Sequence, residues 1–140
     1  IAASPGSCVE PALIEAYDGP AIVRELSEER AHCMGRWLEE RALRATALAA
    51  HMDLGQRDSV EGFKKRMEYA SIIGAQVVNT NSTNIANSLV FFRNMEKIVS
   101  YAEHLDLKIG LENPGAGRNS IMGTGVEGER GNVYESPDQT

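Results

Sequence analysis

Apolar and polar positions alternate along this chain with two different periods, and the switches between them mark its elements. Three short apolar runs each stop at a polar residue: 45–50 at His51, 76–78 at Asn79-Thr80-Asn81, and 108–111 at Glu112. Short runs bounded in this way read as strands, predicted over 44–50, 76–80 and 108–112. Between them the period lengthens to that of a helix. Val60, Phe63, Met67, Ala70 and Ile73 form one stripe, opened by the capping-box spacing Asp58-Ser59-Val60-Glu61 and closed by Gly74. Leu89, Phe92, Met95, Ile98, Val99, Ala102 and Leu105 form another, ending before Asp106. An earlier helix is predicted from Gly19-Pro20, with proline at the first helical position and Ile22, Val23, Leu26, Cys33, Met34, Trp37 and Leu38 as its apolar face. Trp37 is accordingly expected in the core. The first thirteen residues show no sustained period and contain Pro5, Gly6 and Pro11, so they are read as irregular.

The polar stops at His51, Asn81 and Glu112 fall 30 and 31 residues apart, the length of a strand, a loop and a crossover helix. Repeated βα units of this kind predict an α/β fold with parallel strands, and the ends of such strands open onto the functional site. His51, Asn81 and Glu112 are therefore the first candidates for chemistry, expected at one open end of the sheet with Asn81 between the other two. A carboxylate at that position can bind a hard divalent cation or act as a base toward a carbon acid. A neutral imidazole can ligate a metal or hydrogen-bond a hydroxyl, although a lone histidine after a strand also serves as a satisfied structural group. The Asn79–Asn81 run suits hydroxyl recognition or a self-capped loop.

Composition narrows the classes. With 140 residues, 42% hydrophobic and 24% charged, the chain reads as one soluble domain with a core. A net charge of −6 disfavours nucleic acid as a partner, because phosphate contacts need clustered cations. The arginines at 24, 30, 36, 41 and 44 alternate with acids, the pattern of a solvated helix face. Two cysteines, Cys8 and Cys33, are too few for a disulfide framework and fit a cytoplasmic protein. No apolar stretch reaches the length needed to span a bilayer, so no membrane partner is expected. The chain begins at Ile1 rather than Met and is read as processed or as part of a longer product.

Three segments together carry a resemblance. Ala49-Ala50-His51-Met52-Asp53-Leu54, the helix from Val60 to Gly74 with Ala75-Gln76-Val77-Val78-Asn79-Thr80-Asn81 after it, and Ile109-Gly110-Leu111-Glu112-Asn113-Pro114 with Gly123-Thr124-Gly125-Val126-Glu127-Gly128 resemble the sugar phosphate isomerase/epimerase family. These are xylose-isomerase-like TIM barrels, a superfamily that also includes the AP endonucleases. The resemblance implies a partial TIM barrel over residues 1–128, followed by an irregular tail over 129–140. It implies a metal-dependent isomerase or epimerase of a small sugar or sugar phosphate, working by proton transfer next to a metal-polarised carbonyl. Glu112 matches the carboxylate that ends the fifth strand, a metal ligand and catalytic group in the family. His51, Asn81 and Asn113 match substrate-facing positions, and His51 matches a zinc ligand of the endonucleases. The implied cofactor is a divalent ion: Mn²⁺, Mg²⁺, Co²⁺ or Zn²⁺.

Family members carry further ligands on later strands, and a full barrel takes about 250 residues, so the sequence reads as an incomplete barrel. Glu129-Arg130-Gly131-Asn132 resembles the segment bearing a second carboxylate ligand but follows Glu112 too closely for a whole βα unit. An AP-endonuclease-like repair enzyme and a non-catalytic half-barrel binding module are the alternatives. Open sheet edges would favour association with a second copy.

Overall fold

A computed structural model of the chain describes residues 7–14 and 26–112. Its elements are β1 (Cys8–Val9), α1 (Glu28–Glu40), β2 (Arg44–Ala45), β3 (Ala47–Ala49), α2 (Ser59–Ile72), β4 (Val77–Asn81), a 3₁₀ turn (Ile85–Asn87), α3 (Ser88–His104) and β5 (Lys108–Glu112). Every ladder is parallel: β1 pairs with β2, and β3, β4 and β5 lie side by side in chain order. The helices α2 and α3 are the crossovers between successive strands, as the 30-residue spacing predicts. The segment following Glu112, with Asn113 and the expected tail, lies outside the described residues.

The first predicted strand is split in two. Ala45 and Leu48 are both buried but stand three residues apart, where a regular strand returns to the same face every second residue. The slip falls at Thr46, whose N–H donates to the Val9 carbonyl at 3.3 Å and whose carbonyl accepts from Gln76 N–H at 3.1 Å. Hydrogen bonding thus continues on both sides of the break.

The opening residues correct the sequence reading. Instead of an irregular lead-in, the segment from Ser7 to Leu13 runs parallel to 44–49. Arg44 N–H donates to Ser7 O at 2.9 Å, Ala49 N–H to Pro11 O at 2.9 Å, and Leu13 N–H to Ala49 O at 2.7 Å. Pro11 has no N–H to give, yet its carbonyl takes part. An edge position is where proline can do this.

In α2 the predicted stripe is the buried one: Val60, Phe63, Met67, Ala70 and Ile73 all lie in the core, and Gly74 follows the helix with φ of +79°. The capping box does not form. Asp58 occupies the N-cap without a side-chain bond, and Glu61 pairs with Lys64 at 3.0 Å. Ser59 caps the preceding loop instead, its hydroxyl lying 2.9 Å from Gln56 O and 3.1 Å from Leu54 O.

In the other two helices only part of the predicted stripe is buried; the start predicted for α1 at Gly19-Pro20 lies outside the described residues, and the helix begins at Glu28 with Ser27, in extended conformation, as its N-cap. In α1 the buried residues are Ala31 and Leu38, and Trp37 is 46% exposed with the Arg41 guanidinium 4.4 Å above its ring. In α3 the buried line is Phe91, Asn94, Ile98 and Ala102, whereas Leu89, Phe92 and Val99 face outward. α3 is apolar around most of its circumference, so hydrophobicity alone did not fix which face docks, and in α1 Trp37 lies at the margin of the stripe where Arg41 covers it. Asn94 was missed because a polar residue does not enter an apolar stripe.

Leu48 and Val78 meet Phe63, Met67, Ala70, Phe91 and Ile98 between the sheet and the helices, and this layer is the core. Tyr101 of α3 ties to α2 by donating its hydroxyl to Glu68 Oε1 at 2.6 Å. That hydrogen bond, then burial and the charges of Glu68 and Glu61, raise the Tyr101 pKa above its ordinary 10.0. The folded state therefore favours the neutral phenol. Its contribution is full below the unfolded value and is lost as pH rises through the raised one. Thermal melts at increasing alkaline pH should fall more steeply for the wild type than for Tyr101→Phe.

Candidate functional site

The alternation along β4 decides which face carries chemistry. Val78 and Thr80 are buried toward the helices, so Val77, Asn79 and Asn81 project from the opposite face. The register sets Asn81 beside Glu112 on β5 and Asn79 beside both Ala49 on β3 and Gly110 on β5. His51 follows β3 by two residues. All three polar stops consequently lie at the C-terminal ends of adjacent parallel strands.

Their side chains meet there. His51 is 6% exposed; its Nδ1 lies 3.1 Å from Asn81 Oδ1 and its Nε2 lies 3.5 Å from Glu112 Oε1. The backbone order is His51, Asn81, Glu112, as expected, but the imidazole itself occupies the middle and touches both partners. Glu112 remains about half exposed, with a side chain at 49%. In this arrangement Nδ1–H donates to Asn81 Oδ1. Nε2 then faces a carboxylate oxygen, and a proton or a cation between the two atoms would join them. Two donors each about 2.1 Å from a common ion stand about 3.0–3.4 Å apart, close to the separation here. His51 and Glu112 thus fit a shared cation as two of its donors. Among the described residues no group of three or more His, Cys, Asp or Glu side chains comes together. Asn113 lies outside the described residues.

The loop after His51 is locked by its own residues. Asp53 Oδ1 accepts from Gly55 N–H at 2.8 Å and Asp53 Oδ2 from Gln56 Nε2 at 2.6 Å, while Leu54 is fully buried. Gly55 sits against the loop after β4: a Cβ there would lie 2.7 Å from Thr83 Cβ and 2.8 Å from Asn87 Cβ. The loops carrying His51 and Asn81 therefore close on each other through a missing side chain. Gly55→Ala should force them apart, lowering stability by about 1–3 kcal/mol in denaturant titration. Beyond Asn81, Asn84 Oδ1 accepts from Asn87 N–H at 3.1 Å, so part of the polar stretch is self-capped.

One residue on the same face escaped the sequence reading. Glu10 follows β1 in a segment taken as irregular, and its Oε1 accepts from Asn79 Nδ2 at 2.7 Å. Asn79 and Asn81 are two apart in a strand, and that spacing alone places both on one face.

Among solved structures, the chain is similar to a D-tagatose 3-epimerase-like protein, with a TM-score of 0.65 and 18% sequence identity over 82% of this chain and 47% of that chain. The fold is that of a partial TIM barrel. The chain spans about half the length of that neighbour, 47%. No family model and no curated protein matches the chain. No helix among the described residues is long and apolar enough to cross a membrane.

Proposed function

We propose that the chain belongs to a metal-dependent isomerase or epimerase of a small sugar, which moves a proton at the carbon next to a carbonyl. The observation that carries this reading is the convergence of His51, Asn81 and Glu112 at the C-terminal ends of three neighbouring parallel strands. The fold likeness to an epimerase-like protein supports it. So does the family resemblance of the segments around these residues.

Each side chain has a task suited to its position. Glu112, half exposed at the mouth, can reach a substrate carbon and take its proton as a carboxylate base. His51 is held in one orientation by Asn81, so that Nε2 keeps a fixed direction toward Glu112. Asn81 retains its amide N–H groups for a substrate hydroxyl. A divalent ion held by His51 and Glu112, with donors beyond the described residues, would supply positive charge to polarise the carbonyl. Proton removal by Glu112 at one face and return at the other from a donor beyond the described residues inverts a carbon; return by Glu112 to the neighbouring carbon, with a proton passing between the two oxygens, isomerises the sugar.

The direct test is deuterium exchange. Incubating ketoses with the protein and Mn²⁺ in D₂O should place deuterium at a carbon beside the carbonyl, read by NMR, and the label should not appear with Glu112→Gln. Exchange that persists in that variant would rule out Glu112 as the base.

A further inference from the structure

We propose that Asn94 is a positioning residue for His51: from the middle of α3 it sets where the chain goes after β3, and so where the imidazole points. The inference rests on the proposed function for the task of His51 and names what that task depends on.

His51 stands between two anchors. Before it, Ala50 N–H donates to Asn79 O at 2.7 Å and ties the chain to β4. After it, Leu54 is fully buried and its carbonyl accepts from Asn94 Nδ2 at 2.9 Å. Only Met52 and Asp53 separate His51 from this second anchor. With both ends held, the backbone dihedrals of His51 follow from where Leu54 is fixed, and the rotamers open to the ring follow from those dihedrals.

The second anchor cannot be made locally. The carbonyls of Leu54 and Gln56 face a single hydroxyl hydrogen, that of Ser59, with oxygens 3.1 and 2.9 Å away. Asn94 brings two more hydrogens from 40 and 38 residues along the chain, its Nδ2 lying 2.9 Å from each carbonyl oxygen. A carboxamide suits this task because one nitrogen carries both donors. Asn94 is buried, so loss of its amide leaves the Leu54 carbonyl short of a donor and not hydrated.

The same helix grips the loop at a second point. Asn87, the N-cap of α3, stands two turns before Asn94 on one helix face, and a Cβ on Gly55 would lie 2.8 Å from Asn87 Cβ. Gly55 sits between the two residues whose carbonyls Asn94 holds. Because α3 starts shortly after Asn81, one helix supports both the loop that carries His51 and the strand end that carries its partner. These contacts lie on the helix side of the sheet, where Leu54 joins the core.

The test reads the ring itself. Long-range ¹H–¹⁵N spectra of the ¹⁵N-labelled chain at mildly alkaline pH report which imidazole nitrogen carries the proton, and the exposed His32 and His104 serve as internal references. In the wild type His51 should show one tautomer, with the proton on Nδ1 facing Asn81. Asn94→Leu keeps the branching and the number of heavy atoms but has no hydrogen to donate. Its His51 signals should move toward the averaged pattern of an exposed imidazole, while those of His32 and His104 stay in place. Tyr101→Phe removes a different hydrogen bond of α3, the one to Glu68, and should leave His51 unmoved. Zn²⁺ alone, followed at the His51 Nε2 signal, should bind Asn94→Leu at least about tenfold more weakly than the wild type.

His51 signals unchanged in folded Asn94→Leu, or moved as far by Tyr101→Phe, overturn the proposal. If Asn94→Leu does not fold, Asn94→Ser, which keeps one hydroxyl donor, decides by the same criterion: a His51 shift larger than that in Tyr101→Phe supports the positioning role, and none overturns it. Zn²⁺ that leaves His51 unmoved in the wild type overturns the cation of the proposed function, while the tautomer spectra still decide the positioning.

Discussion

Replacing Asn94 by aspartate, a change of almost no volume, is expected to destabilise the protein by about 3–5 kcal/mol at neutral pH, more than any surface substitution. Asn94 is buried in α3, and its Nδ2 lies 2.9 Å from Leu54 O, 2.9 Å from Gln56 O and 3.1 Å from Ser59 Oγ. Its two hydrogens and the Ser59 hydroxyl are the donors that satisfy the carbonyls of the loop after β3. A carboxylate there has no hydrogen to give and sets negative charge against those carbonyls. Burial and the facing oxygens would hold the new carboxyl group above its ordinary pKa. Protonation therefore favours the folded variant, and its deficit should shrink as pH falls and be fullest above the raised pKa. Urea melts of Asn94→Asp and wild type at pH 4 and pH 7 read this directly. A deficit independent of pH would mean that shape, not charge, is at fault. The effect would also reach the site, because the loop Asn94 holds begins at His51.

That loop shows what a sequence reveals and what it hides. The three strands and the helix from Ser59 to Ile72 were legible because each buries one face: Phe63, Met67 and Ala70 recur at helical spacing, and 108–112 is bounded on both sides. Glu112, Asn81 and His51 were legible as the polar residues that end those strands. The contact between them was not, since pairing of side chains 30 residues apart follows from strand register, which no local pattern encodes. Helices α1 and α3 were located, and Leu38, Ile98 and Ala102 of their predicted stripes are buried, whereas Trp37, Leu89, Phe92 and Val99 are exposed. Trp37 lies flat under Arg41 at the surface, and Phe92 packs edge-to-face on Phe91 at 5.4 Å while remaining 48% exposed. The parallel pairing of the segment from Ser7 to Leu13, which holds β1, was hidden for a different reason. Among the described residues it pairs along one edge only, with Pro11 within it, so neither propensity nor alternation marks it. Glu10 was lost with that segment.

On the proposed function, Glu112→Gln has the largest expected effect: a loss of about 10²–10⁴-fold in proton exchange at the sugar carbon in a longer chain that supplies the ion's remaining donors, with little change in fold. The fold should survive because Glu112 is half exposed and its only described partner is His51 at 3.5 Å. A glutamine side chain offers His51 Nε2 both an amide donor and a carbonyl acceptor, so the pair loses charge without leaving an orphaned group. Catalysis should not survive, because an amide neither accepts a proton from carbon nor contributes negative charge to a divalent ion. Two measurements separate these roles. Calorimetric titration of Mn²⁺ into this chain should show weak binding, since His51 and Glu112 are two donors where such ions take about six. Tight, stoichiometric binding abolished by Glu112→Gln would show that further donors complete the site. Exchange in D₂O lost by the variant even at saturating Mn²⁺ would assign Glu112 the base role in addition to any part in holding the ion, whereas exchange restored by excess Mn²⁺ would leave it a ligand alone.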